Sequence, residues 1–413
     1  MISNFLRGDG NHLSFTGRVQ NNFLPVVAAL HNIIHKSGYQ DVVLDFSQAT
    51  FLHPSVMLPV VTLARHYRSE KVDFDFIMPR DKKIARLLDN ANWLHLIVPE
   101  KFPSRSSFNR EHVSALQYRD ADEHFKAVNS SMDVILSHLN GLDRSRLKAL
   151  EWSLNEITDN VLNHSESALG GILQVVTFPK SGLVQFYVCD AGIGIPSSLR
   201  SGKPEISDDV SALRAAIEEG VTKNSSTNQG NGLFGTFQCC AVSGGEFHLV
   251  SGKAFLEYRN TTLVSSKNVI PFKGTFVRAS IKYNVEQLLE KALVFKGKKH
   301  TPPYDYVERV YQERGNDINL KVKDEFDSFG SRDAGRLARN KVTNLMNNRT
   351  TPVVFDFMDV GLISSSFADE LFAKLFVELG PIRFGQLCRL ENVDATVQAL
   401  IDRAISQRMR QIV

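Results

Sequence analysis

The chain has 413 residues, 43% hydrophobic and 23% charged, with a formal net charge of +3. This composition excludes extensive disorder, and the length allows two or three domains with separate cores. A charge so near neutral gives no reason to expect a nucleic-acid partner, and no apolar run approaches the ~20 residues of a membrane span. The opening MISNFLRGDG lacks a basic segment followed by an apolar one, so the expectation is a cytoplasmic protein with no secretory signal. A strand is expected over His12–Phe15. An amphipathic helix follows over Phe23–His35, with Leu24, Val27, Leu30 and Ile34 on one face. Asp41–Phe46 reads as a buried strand, Val56–His66 as a helix, Val72–Met78 as a strand and Asp81–Leu88 as a helix. This alternation predicts a small α/β domain over residues 1–100.

The polar, Ser-rich stretch 101–120 reads as a connector. A second domain, 121–290, begins with two long helices. The second of these spans Asp143–Asn163 and carries a core stripe of Leu147, Leu150, Leu154, Ile157 and Val161. Strands over Ile172–Phe178 and Leu183–Cys189, a hairpin turning at Gly252-Lys253 and a strand over Thr275–Ile281 predict a mixed sheet. Residues 291–315 form a linker; its basic KGKKH run (Lys296–His300) adjoins Pro302-Pro303 and reads as a solvated segment. The third domain, 316–413, has helices at Ser331–Met346, Phe367–Leu379 and Val393–Met409 around a strand at Pro352–Phe357. An offset of 311 residues carries the strand VVLDF (Val42–Phe46) onto VVFDF (Val353–Phe357) and Ser55 onto Ser366. Two related domains therefore flank the middle one. The cysteines Cys189, Cys239, Cys240 and Cys388 form no C-x-x-C pair, which fits reduced thiols.

The residues suited to chemistry lie in the middle domain. No G-x-x-x-x-G-K-[ST] phosphate loop occurs in the chain. In NEITDNVL (Asn155–Leu162), Glu156 and Asn160 are four apart and share a helix face, bordered by Asp159 and Asn163. A carboxamide oxygen suits Mg²⁺, and a neighbouring carboxylate can orient or deprotonate a nucleophile. In DAGIGIP (Asp190–Pro196), Asp190 ends an apolar strand, and Gly192 and Gly194 let the backbone approach a ligand closely. An ionised Asp is a pure acceptor, able to take an exocyclic amino group. In QGNGLFGTF (Gln229–Phe237), Gly230, Gly232 and Gly235 precede or open an apolar helix whose N-terminal amides suit phosphate. Lys223, in the polar VTKNSSTN, can add a cation, and residues 222–231 read as a lid. His31 and His35 are four apart but lack a third ligand, so no metal is expected there.

Taken in this order, with Gly274-Thr275 opening a later strand, the three motifs over about 120–283 resemble the GHKL ATPase superfamily. The resemblance implies a Bergerat-type α/β sandwich, a mixed sheet with helices on one face, with ATP and Mg²⁺ as cofactors. It implies Glu156 as the catalytic base and Asn160 as the magnesium ligand. Asp190 would contact adenine with Thr275 supporting it; Gly230, Gly232 and Gly235 would form the phosphate loop. Both flanks resemble STAS-like domains, small α/β modules with a serine before a helix. Ser366 then matches a phosphoacceptor position, and Ser55 matches it less closely. The expectation is an ATP-binding regulator that hydrolyses ATP or phosphorylates a Ser/Thr of a STAS-type protein partner. The alternative is an ATP-sensing switch without turnover. A homodimer is compatible with either reading; a membrane or nucleic-acid partner is not expected.

Overall fold

The structure is a computed structural model that describes residues 5–105, 114–221, 231–295, 297–299, 305–312, 315–326, 328–347 and 350–410. The first domain runs β1 (Leu6–Asp9), β2 (His12–Val19), α1 (Leu24–His31), β3 (Asp41–Leu52), α2 (Pro54–Ser69), β4 (Asp73–Ile77), α3 (Lys82–Asn90) and α4 (Trp93–Ile97). Strands β2, β3 and β4 pair in parallel, and β1 joins the free edge of β2 antiparallel. The period-2 burial of Val42, Leu44 and Phe46 points those side chains inward. Pro54 opens α2, where its missing N–H costs nothing, and the His53 ring caps the helix by accepting from Ser55 N.

The middle domain contains β5 (Leu116–Tyr118), α5 (Ala121–His138), α6 (Arg144–His164), β6 (Gly171–Phe178), β7 (Leu183–Asp190), α7 (Gly194–Gly202), α8 (Asp209–Ala216), α9 (Gly232–Ser243), β8 (Glu246–Arg259) and β9 (Thr262–Lys282). The sheet order is β5-β6-β7-β9-β8, and every pairing is antiparallel. The mixed sheet expected from sequence is corrected here. Strands β7 and β8 do run the same way, but the β8–β9 hairpin inserts β9 between them, so they never pair. The expected turn at Gly252-Lys253 is also displaced. Gly252 forms a register irregularity within β8, and the chain reverses at Asn260-Thr261, both with positive φ as a tight hairpin turn requires. The 101–120 connector contains β5, whose Tyr118 is fully buried and donates from its hydroxyl to Thr158 O at 3.2 Å.

Both faces of this sheet are covered. Val175, Val184, Phe186, Val188, Val277 and Ala279 face α5, α6 and α9 in one core. Alternate residues Ile172, Val176, Tyr187, Cys189, Val250 and Phe276 share a second core with the first domain. Phe23 meets Phe272 and Phe276 edge-on at 5.2 and 5.0 Å, and Trp93 Nε1 donates to Gln174 Oε1 at 2.9 Å. Helices on one face alone, the arrangement expected from sequence, therefore describes only half of the surroundings of the sheet.

After the sheet come α10 (Leu288–Ala292), a short hairpin of β10 (Val294–Phe295) and β11 (Lys298–Lys299), and α11 (Tyr306–Tyr311). The third domain continues with β12 (Ile318–Lys321), α12 (Val322–Glu325), α13 (Arg332–Leu345), β13 (Val353–Asp356) and α14 (Ser365–Ala368). A π-type turn over Asp369–Ala373 leads to α15 (Lys374–Leu379), and α16 (Pro381–Leu387), β14 (Cys388–Glu391) and α17 (Ala395–Met409) follow. Its three strands pair in parallel in the order β12-β13-β14, the order of β2-β3-β4. The offset of 311 carries α1 into α13 and α2 onto the α14–α15 run, so the repeat extends beyond the five-residue match. All four cysteines are free and buried. Among the described residues no helix is long and apolar enough to cross a membrane.

Candidate functional site

A cavity of about 440 Å³ lies between the helix-facing side of the sheet and α6, α7 and α9. Its size is within the range of small-ligand and cofactor sites. Helix α6 supplies Trp152, Glu156, Asp159, Asn160 and Asn163 at spacings of three and four, a stripe along one side of the helix. Val188 and Asp190 from β7 and Thr275 and Val277 from β9 form the floor. Gly194, Ile195 and Leu199 close one end, and Asn231, Gly232 and Leu233 stand at the start of α9. Residues from the three motifs singled out in the sequence therefore line one cavity. Lys223 and Gly230 lie outside the described residues.

Asp190 is 3% exposed, and burial pushes its carboxyl up to about 7. Bonds from the backbone N–H groups of Gly192 (2.8 Å) and Thr275 oppose that rise. Asp190 and Thr275 are direct partners across the β7–β9 pair, which explains why Thr275 approaches this carboxylate. Ser251, from the edge strand β8, ties the same corner together. Its hydroxyl donates to Gly274 O at 2.7 Å, accepts from Ile195 N at 2.9 Å and lies 3.2 Å from Thr275 Oγ1. Gly194 holds φ +76 beside it, and a Cβ there would lie 2.7 Å from Ser251 Oγ, so only glycine fits.

Glu156 is half-buried; its carboxyl is pushed up to about 7 by burial and secondarily by the nearby Asp159 charge. It abuts the start of α9: a Cβ built on Gly232 would lie 2.2 Å from Glu156 Oε2. Glycine at 232 is thus what lets the carboxylate and the positive end of this 12-residue helix share one space. Gly235 packs against the Trp152 ring one turn further on. Among the described lining residues there are three carboxylates, Glu156, Asp159 and Asp190, and no Lys or Arg.

Some residues that build the site carried no sequence signal. Ser251, which supports the Gly274-Thr275 corner from behind the lining, is an unremarked serine in a strand. Phe295 comes from the linker and returns to the cavity mouth. Trp152 was legible in principle, lying one turn before Glu156 on the same stripe. The two serines outside the cavity have different surroundings. Ser55 is 1% exposed, its hydroxyl lies 2.7 Å from His53 Nδ1 and accepts from Asn21 N at 3.3 Å. His53 in turn reaches Tyr187 on the far face of the sheet from the cavity. Ser366 is half-buried, 3.2 Å from Ser364 Oγ, and Ser364 rather than Ser366 caps α14. The His31 and His35 rings are tilted with centroids 4.9 Å apart, and among the described residues no cluster of three or more His, Cys, Asp or Glu side chains is placed to hold a metal ion.

Comparison with known proteins finds one family. Residues 333–398 match the STAS-like domain of unknown function (DUF4325), which covers α13 through the start of α17. No curated protein matches the chain, and no solved structure does.

Proposed function

We propose that the cavity is a magnesium–ATP site of the GHKL type, set between two STAS-like domains of which the C-terminal one matches a known family. The observation that carries this reading is the buried Asp190 carboxyl beside Gly192, Thr275 and Gly194, an acceptor inside an apolar pocket with room for a flat base. An ionised Asp190 accepts from the exocyclic amino group of adenine and rejects guanine, which presents a carbonyl at that edge. Asn160 offers its carboxamide oxygen to Mg²⁺, which supplies positive charge to the phosphates when bound. Glu156, whose carboxyl titrates near neutrality, takes a proton from the attacking water or hydroxyl. Where the acceptor is a serine of the chain itself, Ser366 is the better candidate, because Ser55 is buried on the opposite face of the sheet.

The test is incubation of the purified chain with Mg-ATP, following free phosphate and intact protein mass together. Phosphate release lost in Glu156→Ala, with nucleotide affinity retained, is the expected result for an ATPase. A mass gain of one phosphoryl group that maps to Ser366 identifies transfer. Binding without either result favours the ATP-sensing switch. No binding of Mg-ATP by the wild-type chain removes the nucleotide reading altogether.

A further inference from the structure

Helix α6 carries two adjacent stripes. Residues 152, 156, 160 and 163 line the cavity, while Arg144, Lys148 and Glu151 grip the segment that leads into the C-terminal domain. Arg144 Nη2 lies 2.9 Å from Asp305 Oδ1 and Lys148 Nζ 3.3 Å from Asp305 Oδ2, with the Asp305 side chain 1% exposed. Glu151, 5% exposed, accepts from Tyr306 N at 2.7 Å and from Arg309 Nη2 at 3.1 Å. From α11 the network continues inward. The Tyr306 hydroxyl donates to Asp133 Oδ1 of α5 at 2.6 Å, and the buried Lys341 of α13 donates to the same atom at 2.9 Å and to Glu325 Oε2 at 2.6 Å. Asn344 of α13 donates to Leu136 O and Leu139 O, satisfying the end of α5, and accepts from Leu142 N just before α6.

We propose that the C-terminal domain sets the position of α6 in the cavity, with Glu151 and Arg309 as the positioning residues through which it acts on Glu156. The inference rests on the nucleotide reading for its effect on turnover, though not for its effect on the helix. A buried ionic network has few equivalent arrangements, because each displaced partner leaves a charge without compensation. Displacing α11 therefore moves Glu151 or breaks its bonds, and Glu156 lies little more than one turn further along the same rigid rod. Asp190 and Thr275 are held by the sheet instead, so the base-binding end is spared. The signature is a loss of rate at nearly constant affinity. A protein that binds the C-terminal domain and shifts α11 would then regulate turnover.

The experiment uses the full chain, with Arg309→Ala as the main variant, since Arg309 is partly exposed and its loss need not disrupt folding. Tyr306→Phe, which removes only a hydroxyl, is the second variant. Both are compared with Arg309→Lys. Steady-state turnover of Mg-ATP and amide hydrogen exchange over residues 152–164 are measured together. The expected result for Arg309→Ala is about a tenfold fall in kcat with KM changed less than twofold, partial recovery in Arg309→Lys, and faster exchange in the cavity half of α6. Wild-type kcat and wild-type exchange in folded Arg309→Ala and Tyr306→Phe would overturn the proposal. A parallel rise in KM without loss of kcat would also overturn it. If the wild-type chain neither binds nor turns over ATP, the nucleotide reading fails by itself, and exchange alone decides whether α11 fixes α6.

Discussion

The two flanking domains use the same part of their fold to reach the middle domain, but with different chemistry. In the first domain α1 and α2 lie on the apolar rear of the sheet, where Phe23, Phe272 and Phe276 pack edge to face. In the third, the equivalent helix α13 meets α5 through Lys341, Asn340 and Asn344 as well as through Val342 and Leu345. The first contact is mainly apolar and non-directional, with the Trp93–Gln174 hydrogen bond as its buried polar tie; a contact built on buried ions and amide caps has one geometry. The first dock suits permanent attachment. The second suits transmission of position.

The largest effects should come from breaking each dock at its centre. Phe276→Ala should cost about 3–5 kcal/mol in urea unfolding, as expected for a fully buried aromatic. Lys341→Met should cost about 3–5 kcal/mol for a different reason, because it strands Asp133 and Glu325 without their cation. Adding Glu325→Gln to Lys341→Met should restore part of that loss, whereas no polar change restores Phe276→Ala. A cycle in which the two C-terminal substitutions are simply additive would show that the ionic dock is not the coupled unit described above.

A smaller contrast concerns the paired serines. Ser55→Asp places a carboxylate at a 1% exposed position beside His53 and should destabilise by about 1–3 kcal/mol. Ser366→Asp, at the half-buried equivalent, should stay within about 0.5 kcal/mol. Equal effects would break the distinction between the two repeats. The least costly test is of pH. With Asp190 titrating at about 7, Mg-ATP affinity should tighten by about tenfold from pH 6 to pH 8 and lose this dependence in Asp190→Asn, read by Trp152 fluorescence. The same shift acts against the fold. Between about pH 4 and pH 7 the native Asp190 and Glu156 hold protons that the unfolded chain has released, so their contribution to stability declines as pH rises through that window.

Much of this organisation is legible in the sequence. The period of 3.6 in Leu147, Leu150, Leu154, Ile157 and Val161 predicted α6 almost to its ends, and the polar residues beside that stripe, Glu156, Asp159, Asn160 and Asn163, face one cavity. The repeat of five residues led to the expectation of two related flanking domains, and the strand orders β2-β3-β4 and β12-β13-β14 are alike. What escaped were facts of long range. Nothing local in Lys341 or Asp133 indicates that they meet across 208 residues, and Ser251 becomes meaningful only when β8 pairs with β9. Gly252 reads as a turn in sequence because glycine at a bulge and glycine at a reversal look alike there.

The sheet buried on both faces also has a consequence for synthesis. The α1–α2 surface is complete when the ribosome reaches Ser69; β6 and β7, which meet α2, are made by Asp190, but β9, which covers α1, ends only at Lys282. At about 5–20 residues per second, the nascent chain carries part of that apolar face uncovered for roughly 10–40 seconds. The first domain must therefore either be shielded during that interval or serve as the template on which the later strands assemble. A gene fragment that ends before β9 would leave that part of the face bare for good.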